Sequence, residues 1–152
     1  MAVVRVQAEN FDPGAEIAAL GANGTGVGGI ASFIGVVRSD ARRPLISLTL
    51  EHYPAMTLSA ITDIAEQAEM RFSLCGCTVI HRYGTLLPGD RIVFVGAAAA
   101  HRRPALEATE FLIDWLKTRA PFWKKERLKD GDEEWVSALE VDDEAAARWG
   151  SG

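Results

Sequence analysis

Sulfur and imidazole side chains are scarce in this chain of 152 residues. It contains two cysteines, Cys75 and Cys77, and three histidines at dispersed positions. Cysteines separated by a single residue are too close for an ordinary disulfide framework, and a structural zinc site needs four ligands. The spacing places both thiols on one face of a predicted strand, where packing is their simplest role. The sequence therefore predicts neither a disulfide scaffold nor a metal centre.

Long hydrophobic runs and net positive charge are also absent. No segment reaches the ~18 apolar residues that a membrane-spanning helix requires, and the N-terminus lacks the signal-peptide pattern. The formal net charge of −5 argues against a general binder of nucleic acid or acidic membranes. We therefore expect one cytoplasmic domain over residues 1–152, long enough to bury about two-thirds of its unfolded surface.

Positive charge is concentrated in one segment, residues 101–129. It holds eight Lys and Arg against four acidic residues, so it carries +4 while the rest of the chain carries −9. An acidic protein with a single basic segment is suited to a small anionic ligand or a short anionic peptide end. A long polyanion would need a more extended basic surface.

A glycine-rich stretch at residues 24–29 matches the pattern GxGxxG. The dinucleotide-binding form of this pattern requires a strand before the loop and a helix after it. Here a predicted helix precedes the glycines and a predicted strand follows them. We therefore interpret the stretch as a flexible entry to a strand, able to order over a ligand or partner.

Hydrophobic periodicity predicts the element order β-α-β-β-α-β-β-α-β-β-α. The class is α+β, with a mixed or largely antiparallel sheet and a hairpin turn at Asp130-Gly131. The predicted strands are residues 3–7, 30–37, 45–52, 76–83, 91–100, 122–126 and 134–136. The predicted helices are residues 13–20, 56–72, 104–120 and 142–149.

Two lysines flank the break that Pro121 introduces after the third long helix. Lys117 lies in the last turn of that helix and Lys124 in the following strand, so a direct reversal of the chain can bring both amines to one pocket. Neighbouring aromatic side chains exclude water and favour a reactive amine; these are Trp115, Phe122 and Trp123. Alternatively, Lys117 offsets the helix dipole and pairs with Asp114, and Lys124 is a solvated strand residue.

The junction before the same helix, His101-Arg102, predicts an anion site. Backbone N–H groups at a helix N-terminus together with a guanidinium bind phosphate or carboxylate, and Pro104 fixes the helix start nearby. The alternative is a polar loop. Arg38 ends an earlier predicted strand, a position from which a side chain can project into a site.

Five segments together resemble the large, catalytic subunit of molybdopterin synthase, the MoaE family. In chain order they are FIGVVR, LEHYPAMT, HRYGTLLPGD, AHR and LKTRAPFWKKE, within roughly residues 28–136. Each motif alone is weak, but five in register are specific. The resemblance implies a fold of the α/β hammerhead type with an added β-hairpin.

The resemblance also implies an enzyme of molybdenum cofactor biosynthesis. The family transfers two sulfurs from the thiocarboxylated C-terminal Gly-Gly of a small ubiquitin-like subunit to cyclic pyranopterin monophosphate, which forms the dithiolene of molybdopterin. It implies a homodimer of large subunits within a heterotetramer. It implies no metal, no cofactor, and no nucleic-acid or membrane partner.

Carried over residue by residue, the resemblance predicts that Lys117 and Lys124 are catalytic. It further predicts substrate-binding roles for Phe33, Val37, Arg38, His101, Arg102, Lys125 and Glu126. Thiocarboxylate and cyclic phosphate are both anions, which agrees with the basic segment. Two alternatives remain open: a sulfurtransferase that carries a persulfide on Cys75 or Cys77, and a non-catalytic module that binds an anionic peptide tail.

Overall fold

The computed structural model describes residues 2–136, 144, 147, 149 and 150. The helices in this part of the chain are α1 (Pro13–Gly21), α2 (Pro54–Arg71) and α3 (Arg102–Thr118). The strands are β1 (Val3–Gln7), β2 (Gly29–Val36), β3 (Leu45–His52), β4 (Gly76–Arg82), β5 (Gly84–Leu86), β6 (Arg91–Ala99), β7 (Phe122–Leu128) and β8 (Glu133–Val136). The predicted helix over 142–149 falls mainly outside the described residues.

The strands form two four-stranded sheets. The first has the order β1-β4-β6-β2, with β1 parallel to β4 and the other pairs antiparallel. The second has the order β5-β3-β7-β8 and is antiparallel throughout. The α+β class, the mixed sheet and the β7–β8 hairpin are therefore confirmed.

Helices cover both faces of the first sheet. On one face, α2 and α3 pack through buried residues such as Ile61 and Leu112. On the other face, α1 packs through Leu20 against Phe94. Burying side chains of this kind stabilises the fold by roughly 1.5–3 kcal/mol each. Because both faces are covered, six of the seven residues of β4 are buried.

Local sequence signals explain where the helices begin. Asp12 caps α1 by accepting a hydrogen bond from the Gly14 N–H at 3.0 Å, with Pro13 in the first turn. Helix α3 begins at Arg102, two residues before the predicted start at Pro104. Proline is tolerated at the third helical position because the N–H groups of the first turn lack helical partners in any case.

Strand β5 was not predicted, and it links the two sheets. Gly84 adopts φ +90°, a conformation that glycine reaches without strain. The chain therefore leaves the first sheet after β4 and pairs at once with β3 in the second. A three-residue strand is too short to give a hydrophobic pattern. The step places the end of β4, with His81, beside the second sheet.

Candidate active site

A cavity of about 180 Å³ opens where the end of α3 meets β7. Lys117, in the last turn of α3, and Lys124, on β7, both line it. The chain reverses between them because α3 ends at Thr118, ahead of Pro121. The structure thus brings the two lysines together, as the break at Pro121 predicts, while their catalytic role stays a prediction.

The walls of this cavity are largely apolar. They include Phe33, a predicted substrate-binding residue, along with Val36, Ile92 and Leu116. Apolar walls lower the local dielectric and strengthen the attraction between an ammonium group and an anion. The volume is below the roughly 300–1,000 Å³ of sites that enclose drug-sized ligands. The cavity therefore suits a narrow group, such as the end of a peptide or one part of a larger ligand.

Strand β7 carries two ionisable residues on an otherwise apolar face. Phe122, Lys124, Glu126 and Leu128 share this face by alternation, and Phe122 and Leu128 pack in the core of the second sheet. Lys124 and Glu126 are half-buried between them. Withdrawing charged groups from water is unfavourable, so their position marks both residues as candidates for function.

Lys125 lies on the opposite face of β7. Its Nζ atom is 2.7 Å from Oε2 of Glu133 and 5.6 Å from the centre of the Trp135 ring. The hydrogen bond and positive charge of Lys125 lower the pKa of Glu133. Lys125 was predicted to bind substrate, but the structure does not bring it to the cavity of Lys117 and Lys124.

His101 and Arg102 lie at the other end of α3. Both are exposed. Lys117 is 15 residues further along the helix (117 − 102), and a rise of 1.5 Å per residue separates the two positions by about 22 Å. Within one chain, the predicted anion site and the lysine cavity are therefore separate.

Arg38 lies at the same end of the molecule as the lysines. It is exposed and follows β2, whose last residue, Val36, lines the cavity. Val37 was also predicted to bind substrate, but its side chain is only 4% exposed and packs in the core of the second sheet. Its backbone is held by Asp90 and Gly89, with N···O distances of 2.8 Å each. The apolar side chain of Val37 thus supports the fold, and Arg38 is the residue free to project.

The glycine-rich stretch packs against the start of α3. The Gly28 N–H donates to the Ala99 carbonyl at 2.9 Å. A Cβ atom on Gly28 would lie 2.0 Å from the Ala100 carbonyl oxygen, and one on Gly29 would lie 3.4 Å from the Cα atom of Arg102. Close backbone contact beside His101-Arg102 therefore accounts for Gly28, whereas a Cβ atom on Gly29 would be near ordinary contact distance.

The two cysteines lie outside the lysine cavity. Cys77 is buried on the α2 and α3 side of the first sheet, and burial raises the pKa of its thiol to about 12. Cys75 precedes β4 and packs on the α1 side. The predicted common strand face is thus wrong, because Cys75 is not part of the strand. A thiol with so high a pKa as Cys77 is a poor sulfur carrier near neutral pH.

His81 is a cavity residue that the sequence did not reveal. It is only 5% exposed. However, it lines the cavity together with Lys117 and Lys124. Burial and, to a smaller extent, the positive charges of both lysines lower its pKa to about 3. Nothing in the local sequence predicts this contact, because it depends on the pairing of distant strands.

The structure gives no sign of a membrane segment or a metal centre in the residues that it describes. Among residues 2–136 and the four described C-terminal positions, no helix is long and apolar enough to cross a bilayer. In the same residues, no group of three or more His, Cys, Asp or Glu side chains is arranged to hold a metal ion.

Comparisons with known proteins agree with the motifs. A family model described as the MoaE protein matches residues 6–119. The molybdopterin synthase catalytic subunit of Mesorhizobium japonicum is 52% identical over 149 residues, covering 97% of this chain and 93% of the relative. The solved structure of the molybdopterin biosynthesis MoaE protein from Burkholderia ambifaria has a TM-score of 0.84 and 47% identity, covering 100% of both chains.

A more distant structure shares the fold alone. It is a complex of subunits 1 and 2 of molybdopterin-converting factor from Helicobacter pylori. The matched chain has a TM-score of 0.68 at 20% identity, covering 91% of this chain and 90% of the other.

Proposed function

The chain belongs to the MoaE protein family, and we propose that it is the catalytic large subunit of molybdopterin synthase, an enzyme of molybdenum cofactor biosynthesis. In this role it transfers two sulfurs to cyclic pyranopterin monophosphate. The sulfur comes from the thiocarboxylated Gly-Gly end of a small ubiquitin-like partner subunit. The observation that carries the proposal is the joint presence of Lys117 and Lys124 in one apolar-walled cavity.

The cavity suits both anions of this reaction. A thiocarboxylate that enters between apolar walls loses water, and an ammonium group compensates for that loss. We assign one lysine to pairing with the thiocarboxylate. The other lysine donates or accepts the proton while sulfur attacks the pterin and the cyclic phosphate opens. Water then attacks the acyl carbon, so that the acyl carbon–sulfur bond breaks and the partner's tail leaves as a carboxylate. Glu126 shares the inner face of β7 with Lys124 and flanks the reacting groups.

The narrowness of the cavity also favours a glycine tail. A volume of about 180 Å³ leaves little room for side chains, and Gly-Gly has none. Phe33 forms part of the wall that the tail passes. The partner's C-terminus, rather than its folded body, is therefore the part that we place next to the lysines.

The separation of His101-Arg102 from the lysines leads us to propose a dimer. A reactive centre cannot use anion-binding groups about 22 Å away along α3. A second copy of the chain can supply them if it places its own His101 and Arg102 beside the cavity. We propose that this homodimer forms the centre of a heterotetramer, with a small subunit bound at each lysine cavity. Arg38 acts from the same chain as the lysines.

Each copy is proposed to be one cytoplasmic domain over residues 1–152. Helices α2 and α3 share one buried cluster with the first sheet, which supports a single folding unit. Both cysteines are free thiols, as expected in a reducing compartment.

The proposal is tested by reconstitution. The purified protein is mixed with a thiocarboxylated small subunit and the cyclic precursor, and molybdopterin formation is measured. Lys117→Ala or Lys124→Ala should lower the rate roughly 100- to 1,000-fold, the usual effect of removing one electrostatic group from an active site.

Lys129→Ala provides a matched control, since Lys129 is an exposed lysine after β7. Its rate should equal that of the unmodified protein. Equal rates for the unmodified protein and Lys117→Ala would contradict the proposed function.

A further inference from the structure

The polar side chains of the lysine cavity differ in what they offer to a ligand. Among the described residues that line the cavity, these side chains are His81, Lys117 and Lys124, and the other lining residues are apolar or glycine. An ammonium group only donates hydrogen bonds, whereas a neutral imidazole has one donor and one acceptor. His81 is therefore the side chain, among these lining residues, that is able to accept a hydrogen bond from a ligand.

The hydrogen bonding of His81 determines which ring nitrogen is the acceptor. The Nδ1 atom lies 2.8 Å from the carbonyl oxygen of Arg82. A carbonyl oxygen only accepts, so Nδ1 carries the proton and Nε2 has the lone pair. Burial and, to a smaller extent, the positive charges of both lysines lower the pKa of the ring to about 3, against the hydrogen bond to Arg82, which raises it. The ring is therefore neutral near neutral pH.

The Nε2 atom is open to the cavity. Within the part of the chain that the structure describes, the hydrogen bond of the His81 ring is the one at Nδ1. In the same residues, no fully buried side-chain nitrogen or oxygen lacks a partner, so Nε2 is not fully enclosed. The opening that His81 lines is the lysine cavity. Its lone pair is therefore available to a group that enters there.

Stacking fixes the direction of this lone pair. The ring of His81 lies against Phe122, with the ring centres 3.9 Å apart and the planes inclined by 21°. Phe122 is two residues before Lys124 on the same face of β7. The structure therefore holds the acceptor against the strand that carries one of the two ammonium groups.

A ligand that matches these groups needs an anion with a hydrogen-bond donor next to it. A thiocarboxylate supplies the anion but has no donor. The last peptide N–H of a tail supplies the donor, because one carbon atom separates it from the terminal carboxyl carbon. Between apolar walls that N–H loses its water, and leaving it without an acceptor is unfavourable. The end of a peptide chain meets both requirements.

We propose that His81 is a specificity residue for the partner's tail, whose Nε2 lone pair accepts a hydrogen bond from the last peptide N–H while the lysines hold the terminal anion. This inference rests on the proposed function and adds the feature by which the cavity recognises a peptide end. A small anion without that N–H would leave the lone pair unpaired. The cavity therefore favours the end of a peptide chain over other small anions.

A backbone substitution in the tail tests the contact. The small subunit is prepared in its carboxylate form, which cannot transfer sulfur, so that titration calorimetry measures binding alone. In one version, glycolic acid replaces the last glycine and exchanges its N–H for an ester oxygen. The Kd of this ester tail should be roughly tenfold higher than that of the amide tail, as expected when a buried hydrogen bond is lost. The same exchange at the preceding glycine is the control and should have a smaller effect, whereas an equal effect at both positions would overturn the proposal.

A double-mutant cycle identifies the acceptor. His81→Phe keeps a flat ring against Phe122 but removes the acceptor, so the amide and ester tails should bind this variant equally. His81→Gln supplies a side-chain carbonyl oxygen and should restore a preference for the amide tail. Urea unfolding shows that each variant is folded. If the ester exchange weakens binding to His81→Phe as much as to the unmodified protein, the N–H does not contact His81 and the proposal is overturned.

His52→Phe is the matched control. His52 also stacks near Phe122, at 5.7 Å between ring centres, but lines a different groove. This variant should keep the full preference for the amide tail. A preference as small as that of His81→Phe would mean that ring packing, and not the lone pair, is responsible.

Nitrogen NMR needs no variant. In unmodified protein labelled with ¹⁵N-histidine, the amide tail should shift the Nε2 resonance of His81 towards that of an accepted hydrogen bond, and the ester tail should shift it less. Equal shifts would overturn the proposal. Both measurements are separate from activity: a protein that makes molybdopterin but shows no dependence on the N–H retains the proposed function and loses this contact, and the reverse result retains the contact alone.

Discussion

The two ends of α3 carry similar positive charge in very different surroundings. At the N-terminal end, His101 and Arg102 are exposed to solvent, where salt screens charges over about 8 Å. At the C-terminal end, Lys117 is also exposed, but it lines a cavity with apolar walls together with the half-buried Lys124. We therefore expect the apolar cavity and the half-buried Lys124, more than the number of cationic groups, to determine which end holds an anion firmly. We expect the N-terminal end of α3 to bind an anion firmly only when another surface covers it.

The largest expected effect comes from a mixed dimer. It tests whether the N-terminal end of α3 in one copy serves the lysine cavity of the other copy. One copy carries Lys117→Ala and the other carries Arg102→Ala, and the mixed dimer is isolated with two affinity tags. If Arg102 of one copy serves the lysines of its partner, one intact site forms in each mixed dimer. Molybdopterin formation should then recover to about half the rate of the unmodified dimer, by symmetry.

The parent variants supply the control for this mixture. Each homodimer has two damaged sites and should be at least about tenfold slower than the mixed dimer. If Arg102 acted within its own chain, both sites of the mixed dimer would be damaged. A mixed dimer no faster than its parents would therefore exclude a shared site.

A smaller effect is expected from Gly28→Ala, which disturbs only the N-terminal end of α3. Gly28→Ala would place a Cβ atom 2.0 Å from the Ala100 carbonyl oxygen, so the backbone before His101 must shift. Forcing an extra carbon into a packed position typically destabilises a protein by about 1–3 kcal/mol. Urea unfolding should show a lower midpoint, and molybdopterin formation should decrease as the junction moves.

Gly26→Ala is the matched control, because a Cβ atom there would have no heavy atom within 4 Å. Its unfolding midpoint should stay at that of the unmodified chain. Equal midpoints for Gly28→Ala and Gly26→Ala would show that the junction adapts to the added carbon.

The same comparison shows what the sequence was able to predict. Lys117 and Lys124 are seven residues apart (124 − 117), and a helix end followed by a proline and a strand is a local pattern. The proximity of Lys117 and Lys124 was therefore predictable from the sequence. The predicted anion site at His101-Arg102 also rests on a local pattern, but its distance from the lysines depends on the length and direction of α3 over the sheet.

Contacts between distant strands were not predictable in this way. His81 reaches the cavity because β4 pairs with β6 and the chain then changes sheets at Gly84. The short β5 strand has no hydrophobic pattern, so this change was missed. Backbone hydrogen bonds to Gly89 and Asp90, which are distant in sequence, likewise hold Val37 in the core while Arg38 remains exposed. Sequence spacing identified the basic groups, and tertiary packing determined which of them share a site.

The smallest expected effect is that of Lys125→Ala, which we compare with the effect of replacing the neighbouring Lys124. Lys124 and Lys125 are adjacent, yet a strand turns successive side chains to opposite faces. The Lys125 ammonium is 2.7 Å from Glu133 on the outer face, with 38% of its side chain exposed. Exposed ion pairs of this kind contribute little to stability. Lys125→Ala should therefore leave the urea midpoint unchanged within error and alter the rate of molybdopterin formation less than about twofold.

A loss comparable to that of Lys124→Ala would mean that the outer face of β7 also takes part in the reaction, and that enclosure alone does not distinguish the functional lysines.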